Sequence, residues 1–250
     1  MDLGPARLEE GASFVREMHR RLTRFDPESD LSRFNASAGR WVGVSELLAT
    51  LLREALRAHE VSGGLVNAGV LPAMLAIGYT RDFAEGPTVL TTPEPHIPAP
   101  LPDVLEVRGE LARLAPGAGV DLGGIAKGWL ADRLAERLGE NALVNLGGDL
   151  YARGEGPDAE GWPVGFGERT VLLRDAGAAT SGTERRRWGE GLHHLIDPRL
   201  GLPARSDLAE VSVIADTAAD AEIFAKTALL LGTGRAEEFL TGRSRGWWMR

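Results

Sequence analysis

The sequence contains no cysteine, which excludes disulfides, thiolate-bound zinc and cysteine nucleophiles. Lysine is scarce: only Lys127 and Lys226 occur, and arginine supplies nearly all the positively charged side chains. The net charge is −8 and the chain has no basic tract of the kind that binds nucleic acid. The N-terminal stretch has no apolar run typical of a leader or a membrane span. We therefore expect no nucleic-acid partner, no membrane segment and a cytoplasmic location, or an extracytoplasmic one if the chain begins upstream.

The first half of the 250 residues is expected to be mainly helical. Apolar spacing predicts one amphipathic helix over residues 8–25 and another that starts after Ser45 and stops at Gly63. The polar stretch 26–39 between them is interpreted as a turn-rich loop. The apolar stretch 65–79 fits either a short helix or a buried loop, and the proline-rich stretch 83–103 fits an exposed connection.

The second half reads mainly as paired strands with glycine-marked ends. Strand pairs are expected within residues 104–120 and 142–154, further strands within 162–182, and a strand followed by a turn and a helix within 209–232. Helices and hairpin-like strands intermix without a regular βαβ series. The fold class is therefore predicted as α+β, with mixed or antiparallel sheets flanked by helices.

The stretch "DLGGIAKG", residues 121–128, is the first candidate site. Asp121 ends a strand, and Gly123 and Gly124 lead into a helix whose first turn carries Lys127. Free N–H groups at a helix start bind anions, and the lysine adds positive charge. From spacing alone, a tight structural turn is as well supported as a phosphate site.

Further polar residues stand at the ends of the later strands. Asp149 follows a Gly-Gly pair that fits a turn or bulge, but a carboxylate there could also orient a ligand. Thr180, Ser181 and Gly182 close another strand, where hydroxyl and N–H donors suit phosphate and a polar turn is the alternative. These residues are candidate ligand contacts.

Histidine and helix charges complete the set of candidates. His193 and His194 would point to opposite faces of a strand, and one of them with Asp197 could form an oriented imidazole; a structural histidine beside an Asp-Pro turn is the commoner case. Glu222 and Lys226 stand four apart on a predicted helix. They fit an ordinary ion pair, or a metal ligand beside a cation.

The order of these motifs along the chain resembles the ApbE family. The motifs on which this resemblance rests are "DLGGIAKG", "VNLGGD", "ATSG", "HHLIDPRLGLPA" and "VSVIADTAADAEIFAKTALLLG", with N-terminal matches in "RFDPESDLSRFNASAG" and "GLVNAGVLPAMLAIGY". The resemblance implies one domain over residues 1–250 with a duplicated T-fold-like core. It also implies an FAD:protein FMN transferase, which uses FAD and Mg²⁺, attaches FMN to a threonine of a target protein and releases AMP.

The resemblance also implies roles for individual residues. The carbonyl oxygen of Gly124, with Glu222 and Lys226, matches the metal position, and Lys127 and His194 match catalytic positions. The remaining matches contact the flavin nucleotide; with Lys127 and His194 they are Tyr79, Asp121, Asp149, Thr180, Ser181 and Gly182.

Two departures from the family pattern qualify these roles. Glu222 and Lys226 stand where family members usually have Asp and Thr, and a charged ammonium has no lone pair for a metal. The family also usually has a strand and a Met-Gly-Thr-like segment before the first helix, whereas this chain begins almost at that helix. FAD hydrolysis to FMN and AMP, or flavin binding without catalysis, are therefore alternative functions.

Overall fold

The computed structural model describes residues 4–88 and 94–250, and the chain divides into two compact units. Unit 1 comprises Met1–Met18 (described from Gly4), Ala126–Gly182 and Leu208–Arg250, and unit 2 comprises His19–Ile125 and Thr183–Asp207. The prediction of one domain over the whole chain stays a prediction. No helix in the described ranges is both long and apolar enough to cross a membrane.

The helices and strands follow one another in a mixed order, as the α+β prediction requires. The helices are α1 (Pro5–Leu22), α2 (Asp30–Asn35), α3 (Glu46–Val61), α4 (Leu71–Ala76), α5 (Leu101–Val104), α6 (Ala126–Leu138), α7 (Ala218–Leu231) and α8 (Thr233–Leu240). The strands are β1 (Val42–Gly43), β2 (Leu105–Arg108), β3 (Leu111–Leu114), β4 (Ala142–Leu146), β5 (Asp149–Arg153), β6 (Trp162–Phe166), β7 (Arg169–Leu173), β8 (Ala176–Gly182), β9 (Arg187–Trp188), β10 (Leu192–His193), β11 (Ile196–Asp197), β12 (Leu202–Pro203), β13 (Glu210–Ala215) and β14 (Gly246–Met249).

Unit 1 is built on a five-stranded antiparallel sheet in the order β14-β13-β8-β5-β4. Side chains alternate between the two faces of a strand. On β5, Leu150 and Ala152 therefore face the hairpin formed by β6 and β7, where Val164 belongs to the same apolar cluster. Asp149 and Tyr151 take the opposite face, and Tyr151 packs there against the cluster that includes Ala218. The face that carries Asp149 is thus the one covered by α6 and α7.

The start of α7 lies unusually close to its neighbours. A Cβ atom on Gly128 of α6 would overlap the backbone carbonyl of Ala218, and a Cβ atom on Gly177 of β8 would overlap the backbone of Thr217 and Ala218. Neither glycine needs a left-handed backbone. Glycine is required at these positions because the two backbones would otherwise be pushed apart.

A buried carboxylate caps α7 from the neighbouring helix. The Oδ1 atom of Asp132 accepts a hydrogen bond from the N–H of Ala218 at 2.7 Å, and Oδ2 accepts one from Ala219 at 3.1 Å. The Oγ1 atom of Thr217 accepts a third, from Asp220 at 3.0 Å. Helix N-termini leave such N–H groups unpaired, so the two bonds to Asp132 fix the position of α7 against α6, and Thr217 caps the helix locally.

Unit 2 contains the three-stranded sheet β1-β3-β2 and two short strand pairs, β9–β10 and β11–β12. Its apolar cluster joins α4 to the strands beyond residue 183, and includes Ile77, Tyr79, Trp188, Leu192 and Ile196. Asn35 ties α2 to the chain near residue 120, because its side chain accepts from the N–H of Val120 at 2.8 Å and donates to that residue's carbonyl at 2.9 Å.

The structure confirms most of the predicted elements and corrects two. Asp121 was expected to end a strand, but β3 ends at Leu114 and Asp121 lies in the loop before α6. Ser45 caps α3 by accepting a hydrogen bond from Leu48, and Gly63 follows the helix with a positive φ. The stretch 26–39 was interpreted as a loop, but it contains α2, capped by Ser29. Buried Leu31 and Phe34 stabilise this helix.

Two other stretches are resolved in detail. The stretch 65–79, predicted as a short helix or a buried loop, forms a 3-10 turn and then α4. In the proline-rich stretch 83–103, residues 89–93 lie outside the described ranges, and the described part includes α5.

Substitution of Gly128 tests the close approach of α6 and α7. Alanine favours helices over glycine by about 1 kcal/mol, but here its Cβ would overlap the Ala218 backbone, and overpacking costs about 1–3 kcal/mol. We expect Gly128→Ala to lower the free energy of unfolding in urea denaturation. Gly234→Ala is the matched control, because its Cβ in α8 would meet nothing within 4 Å and should leave stability unchanged or raise it. A gain in stability with Gly128→Ala would contradict the close approach.

The pH dependence of stability tests the burial of Asp132. Burial raises the pKa of this carboxyl to about 6, and the hydrogen bonds from Ala218 and Ala219 only partly oppose that rise. Between about pH 4 and 6 the folded state holds a proton that the unfolded state has lost, so this contribution to stability falls as the pH rises.

Comparison with Asp132→Asn isolates this contribution. The unfolding free energy of the natural protein should fall, relative to that of Asp132→Asn, by about 1.4 kcal/mol per pH unit across this window and stay level above it. Asp216→Asn reports the effect of losing an exposed carboxylate from the same unit. If the difference in unfolding free energy between the natural protein and Asp132→Asn did not change with pH, the raised pKa would be contradicted.

Candidate functional site

Four charged side chains of unit 1 meet at the N-terminal end of α6, and we call them the charge cluster: Lys127, Asp149, Glu222 and Lys226. The ammonium group of Lys127 forms an ion pair with Oδ2 of Asp149 and lies 3.3 Å from Oε1 of Glu222. The ammonium group of Lys226 lies 3.7 Å from the same Oε1 atom. Both lysines of the chain therefore converge on one carboxylate oxygen.

The local structure explains this convergence. Lys127 is in the first turn of α6, Asp149 is the first residue of β5, and Glu222 and Lys226 are one turn apart on α7. The N–H of Gly128 donates to Oε2 of Glu222 at 2.9 Å, which the missing side chain at that glycine permits. The first turn of α6 thus receives the negative charge that a helix N-terminus favours.

The carboxylates are buried while the ammonium groups are more accessible. The side chains of Asp149 and Glu222 are 4% and 3% exposed, whereas those of Lys127 and Lys226 are 33% and 13% exposed. Burial alone would raise the pKa of Glu222, but the two lysines and the N–H of Gly128 outweigh it and lower that pKa. Glu222 is therefore ionised, and the two lysine side chains are the more exposed members of the cluster.

The charge cluster does not fit Mg²⁺, which the family resemblance implies. Mg²⁺ prefers octahedral oxygen ligands, whereas Lys226 offers an ammonium with no lone pair. Both oxygens of Glu222 already accept from Gly128 or face an ammonium. Within the described residues, no group of three or more histidine, aspartate or glutamate side chains is placed to hold a metal. Gly124 lies in the turn before α6, in unit 2.

In unit 2, the predicted flavin contacts Asp121 and Tyr79 share one partner, Arg24. The guanidinium Nε atom of Arg24 lies 2.6 Å from Oδ2 of Asp121, and its Nη2 atom donates to the carbonyl of Tyr79 at 2.8 Å. The same guanidinium lies over the rings of Phe25 and Tyr79, at 4.2 and 4.6 Å from their centroids. Asp121 also accepts from the N–H of Gly123 at 2.7 Å. Asp121 is thus fixed by a cation and by its own turn.

The two adjacent histidines differ in their surroundings. His193 is buried, its Nε2 atom bonds to the carbonyl of Ala204 at 3.0 Å, and its Nδ1 atom accepts from the N–H of Leu195 at 3.3 Å. Burial lowers the pKa of His193, so this imidazole is neutral and structural. Asp197 binds Arg199 through both oxygens and does not orient His193. His194 is half-buried in the bend after β10.

The segment Thr180–Gly182 closes β8, as predicted, but its side chains diverge. Thr180 shares a face with Ala178, towards the β6–β7 hairpin, and its hydroxyl lies 2.9 Å from the hydroxyl of Ser212. Ser181 is buried and takes the opposite face. That all three line one flavin pocket stays a prediction, as do the other predicted flavin contacts.

Two residues that hold the surroundings of the candidate site in place were missed in the sequence, Arg24 and Asp132. Arg24 is one of many arginines and its partner Asp121 is distant in the chain, so no local pattern distinguishes it. Asp132 falls at a buried position of a predicted helix, and an acidic residue there was the only available signal.

Comparison with known proteins gives consistent results for this chain. A model of the ApbE family matches residues 5–247. The chain is similar to proteins named FAD:protein FMN transferase: one from Haemophilus influenzae is 28% identical over 92% of this chain and 74% of the relative, and one from Treponema pallidum is 32% identical over 91% and 72%. The crystal structure of the ApbE protein from Thermotoga maritima superposes with a TM-score of 0.85, covering 98% of this chain and 85% of that one.

The structural likeness, at 22% identity, shows the fold alone and confirms the predicted α+β class. The match to the family model extends over nearly the whole described chain, and the Treponema pallidum relative exceeds 30% identity over most of both proteins. The sequence motifs and these comparisons lead to one conclusion: the chain belongs to the ApbE family.

Proposed function

We propose that this protein is an enzyme that transfers FMN from FAD to a threonine hydroxyl of a target protein and releases AMP. Family membership and relatives named FAD:protein FMN transferase support the reaction and FAD as its substrate. The observation that carries the proposal is the charge cluster, whose accessible side is cationic and whose carboxylates are buried. Such a surface suits the anionic pyrophosphate of FAD.

The proposed reaction is a substitution at phosphorus. The threonine oxygen forms a bond to the FMN-side phosphorus of the pyrophosphate, and the bond from that phosphorus to the bridging oxygen breaks. The bridging oxygen leaves with AMP, and the hydroxyl proton passes to a base. Positioning and neutralisation of charge on the phosphate oxygens supply most of the catalysis in such transfers.

Individual side chains have distinct parts in this proposal. Lys127 binds the pyrophosphate, since its side chain is the most exposed of the cluster. Asp149 and Glu222 position Lys127 and offset its charge when no substrate is bound. The catalytic role of His194 stays a prediction from the family resemblance, and His193 is committed to Ala204 and Leu195. The proposed reaction contains no metal-bound step, since the cluster does not fit Mg²⁺.

The reaction is tested with FAD and a library of threonine-containing peptides. Transfer releases AMP and adds FMN to a peptide, which mass spectrometry detects, and a library with alanine in place of threonine should remain unmodified. AMP and free FMN without a modified peptide would indicate FAD hydrolysis instead. Flavin binding without AMP release would indicate a binding protein. Absence of flavin binding would contradict all three functions.

Substitution of Lys127 tests its role in this reaction. We expect Lys127→Ala to weaken FAD binding at least tenfold in a flavin-fluorescence titration. AMP release should slow by about 10²–10³, the usual cost of removing a group that stabilises transition-state charge. Arg133→Ala is the matched control, because it removes an exposed cation from the same helix and should change neither value. Unchanged FAD affinity in Lys127→Ala would contradict the assigned site.

A further inference from the structure

The position of Lys226 needs an explanation beyond an ordinary helix ion pair. Its side chain is only 13% exposed, and the charged partner that a buried lysine normally needs is Glu222. It shares Oε1 of Glu222 with Lys127, so two like charges are held near one atom. Lys127 and Lys226 are the only two lysines of the sequence, and arginine occupies all its other lysine or arginine positions. Both compact ammonium groups are therefore concentrated in one cluster.

The charges of the cluster sum to neutrality without any bound ion. Two ammonium groups balance two carboxylates, and the oxygens of Glu222 are engaged by Gly128 and by both lysines. A divalent cation added at Glu222 would lie beside two positive charges and would have to displace one of them. The two lysines thus stabilise the carboxylates without a metal, and their positive charges also repel a divalent cation.

We propose that the ammonium group of Lys226, held by Glu222, serves as the fixed cation for the phosphate groups of FAD, so that flavin binding and transfer require no divalent cation. This inference rests on the proposed function. An ammonium is a compact point charge with three hydrogen-bond donors, which suits phosphate oxygens. The lysine side chains are the more exposed members of the cluster, at 33% and 13% against 4% and 3% for the carboxylates, so an incoming anion reaches the lysines before the carboxylates. Lys226 thereby neutralises charge that would otherwise need a bound metal.

A purely structural role for Lys226 is the alternative explanation. In that case the ion pair with Glu222 would only stabilise α7, and flavin affinity would not depend on the lysine. Measurements of FAD affinity and of metal binding separate the two explanations, because a structural role predicts no change in either.

The first experiment compares FAD binding and AMP release in EDTA and in Mg²⁺. For the natural protein we expect both values to agree within about twofold between the two buffers. For Lys226→Thr we expect FAD affinity to fall at least tenfold in EDTA and to recover in part with Mg²⁺. Lys226→Arg, which retains the charge, should lose less. The matched control Arg235→Thr, which removes one exposed cation from α8, should behave as the natural protein.

The second experiment measures metal binding directly by electron paramagnetic resonance of Mn²⁺, with and without FAD. The natural protein should bind no more Mn²⁺ than FAD binds alone in buffer, whereas Lys226→Thr and the double variant Glu222→Asp, Lys226→Thr should bind one ion. Stoichiometric Mn²⁺ on the natural protein, or FAD affinity that collapses in EDTA and returns with Mg²⁺, would overturn the inference. So would unchanged FAD affinity in a folded Lys226→Thr.

These outcomes remain distinguishable from failure of the proposed function. If the natural protein binds no FAD in either buffer, the proposed function fails, and the Mn²⁺ measurement on the protein alone still decides whether the cluster accepts a divalent cation. Circular dichroism verifies that each variant is folded. If Lys226→Thr does not fold, the comparison of EDTA with Mg²⁺ on the natural protein decides the inference.

Discussion

The first turn of α7 lies directly against Gly128 of α6 and Gly177 of β8, and the arrangement of unit 1 depends on this approach. Side chains at either glycine would separate the backbones. The approach lets Asp132 reach the N–H groups of Ala218 and Ala219, which have no acceptor within the helix, and it lets the N–H of Gly128 reach Glu222. The capping of α7 and the geometry of the charge cluster thus have the same steric origin.

The charge cluster shows how a buried carboxylate can be kept ionised without a metal. Removing a carboxylate from water is costly unless charged or hydrogen-bonding partners replace the water. Glu222 has three such partners, and Lys127 serves Asp149 as well. Lys127 joins two acids from different elements, and Lys226 supplies the second positive charge. It also leaves the ammonium groups as the accessible part of the cluster.

Local signals predicted a large part of the fold. Ser45 and Gly63 marked the ends of α3 because capping and positive φ depend on a few neighbouring residues. The helix α2 was missed because most of its residues are polar. Its only buried apolar side chains, Leu31 and Phe34, give too short a pattern to predict a helix.

The site was predicted less completely than the fold. Each of Lys127, Asp149, Glu222 and Lys226 was a candidate, and the i,i+4 ion pair of the last two was foreseen. Their convergence was not, because it depends on the packing of α6, α7 and β5. The ion pair of Arg24 with Asp121 joins residues far apart in the chain and leaves no local pattern.

The way the units divide the chain has a consequence for the order of folding. Unit 1 draws on three separate stretches and unit 2 on two, so each is discontinuous in sequence. β8 pairs with β5 and then with β13, which is synthesised only after residues 183–207 of the other unit. Closing such long loops costs chain entropy before the contacts form, which slows folding. During synthesis, the central sheet and the ion pair of Lys127 with Glu222 can therefore form only after the C-terminal segment has emerged from the ribosome.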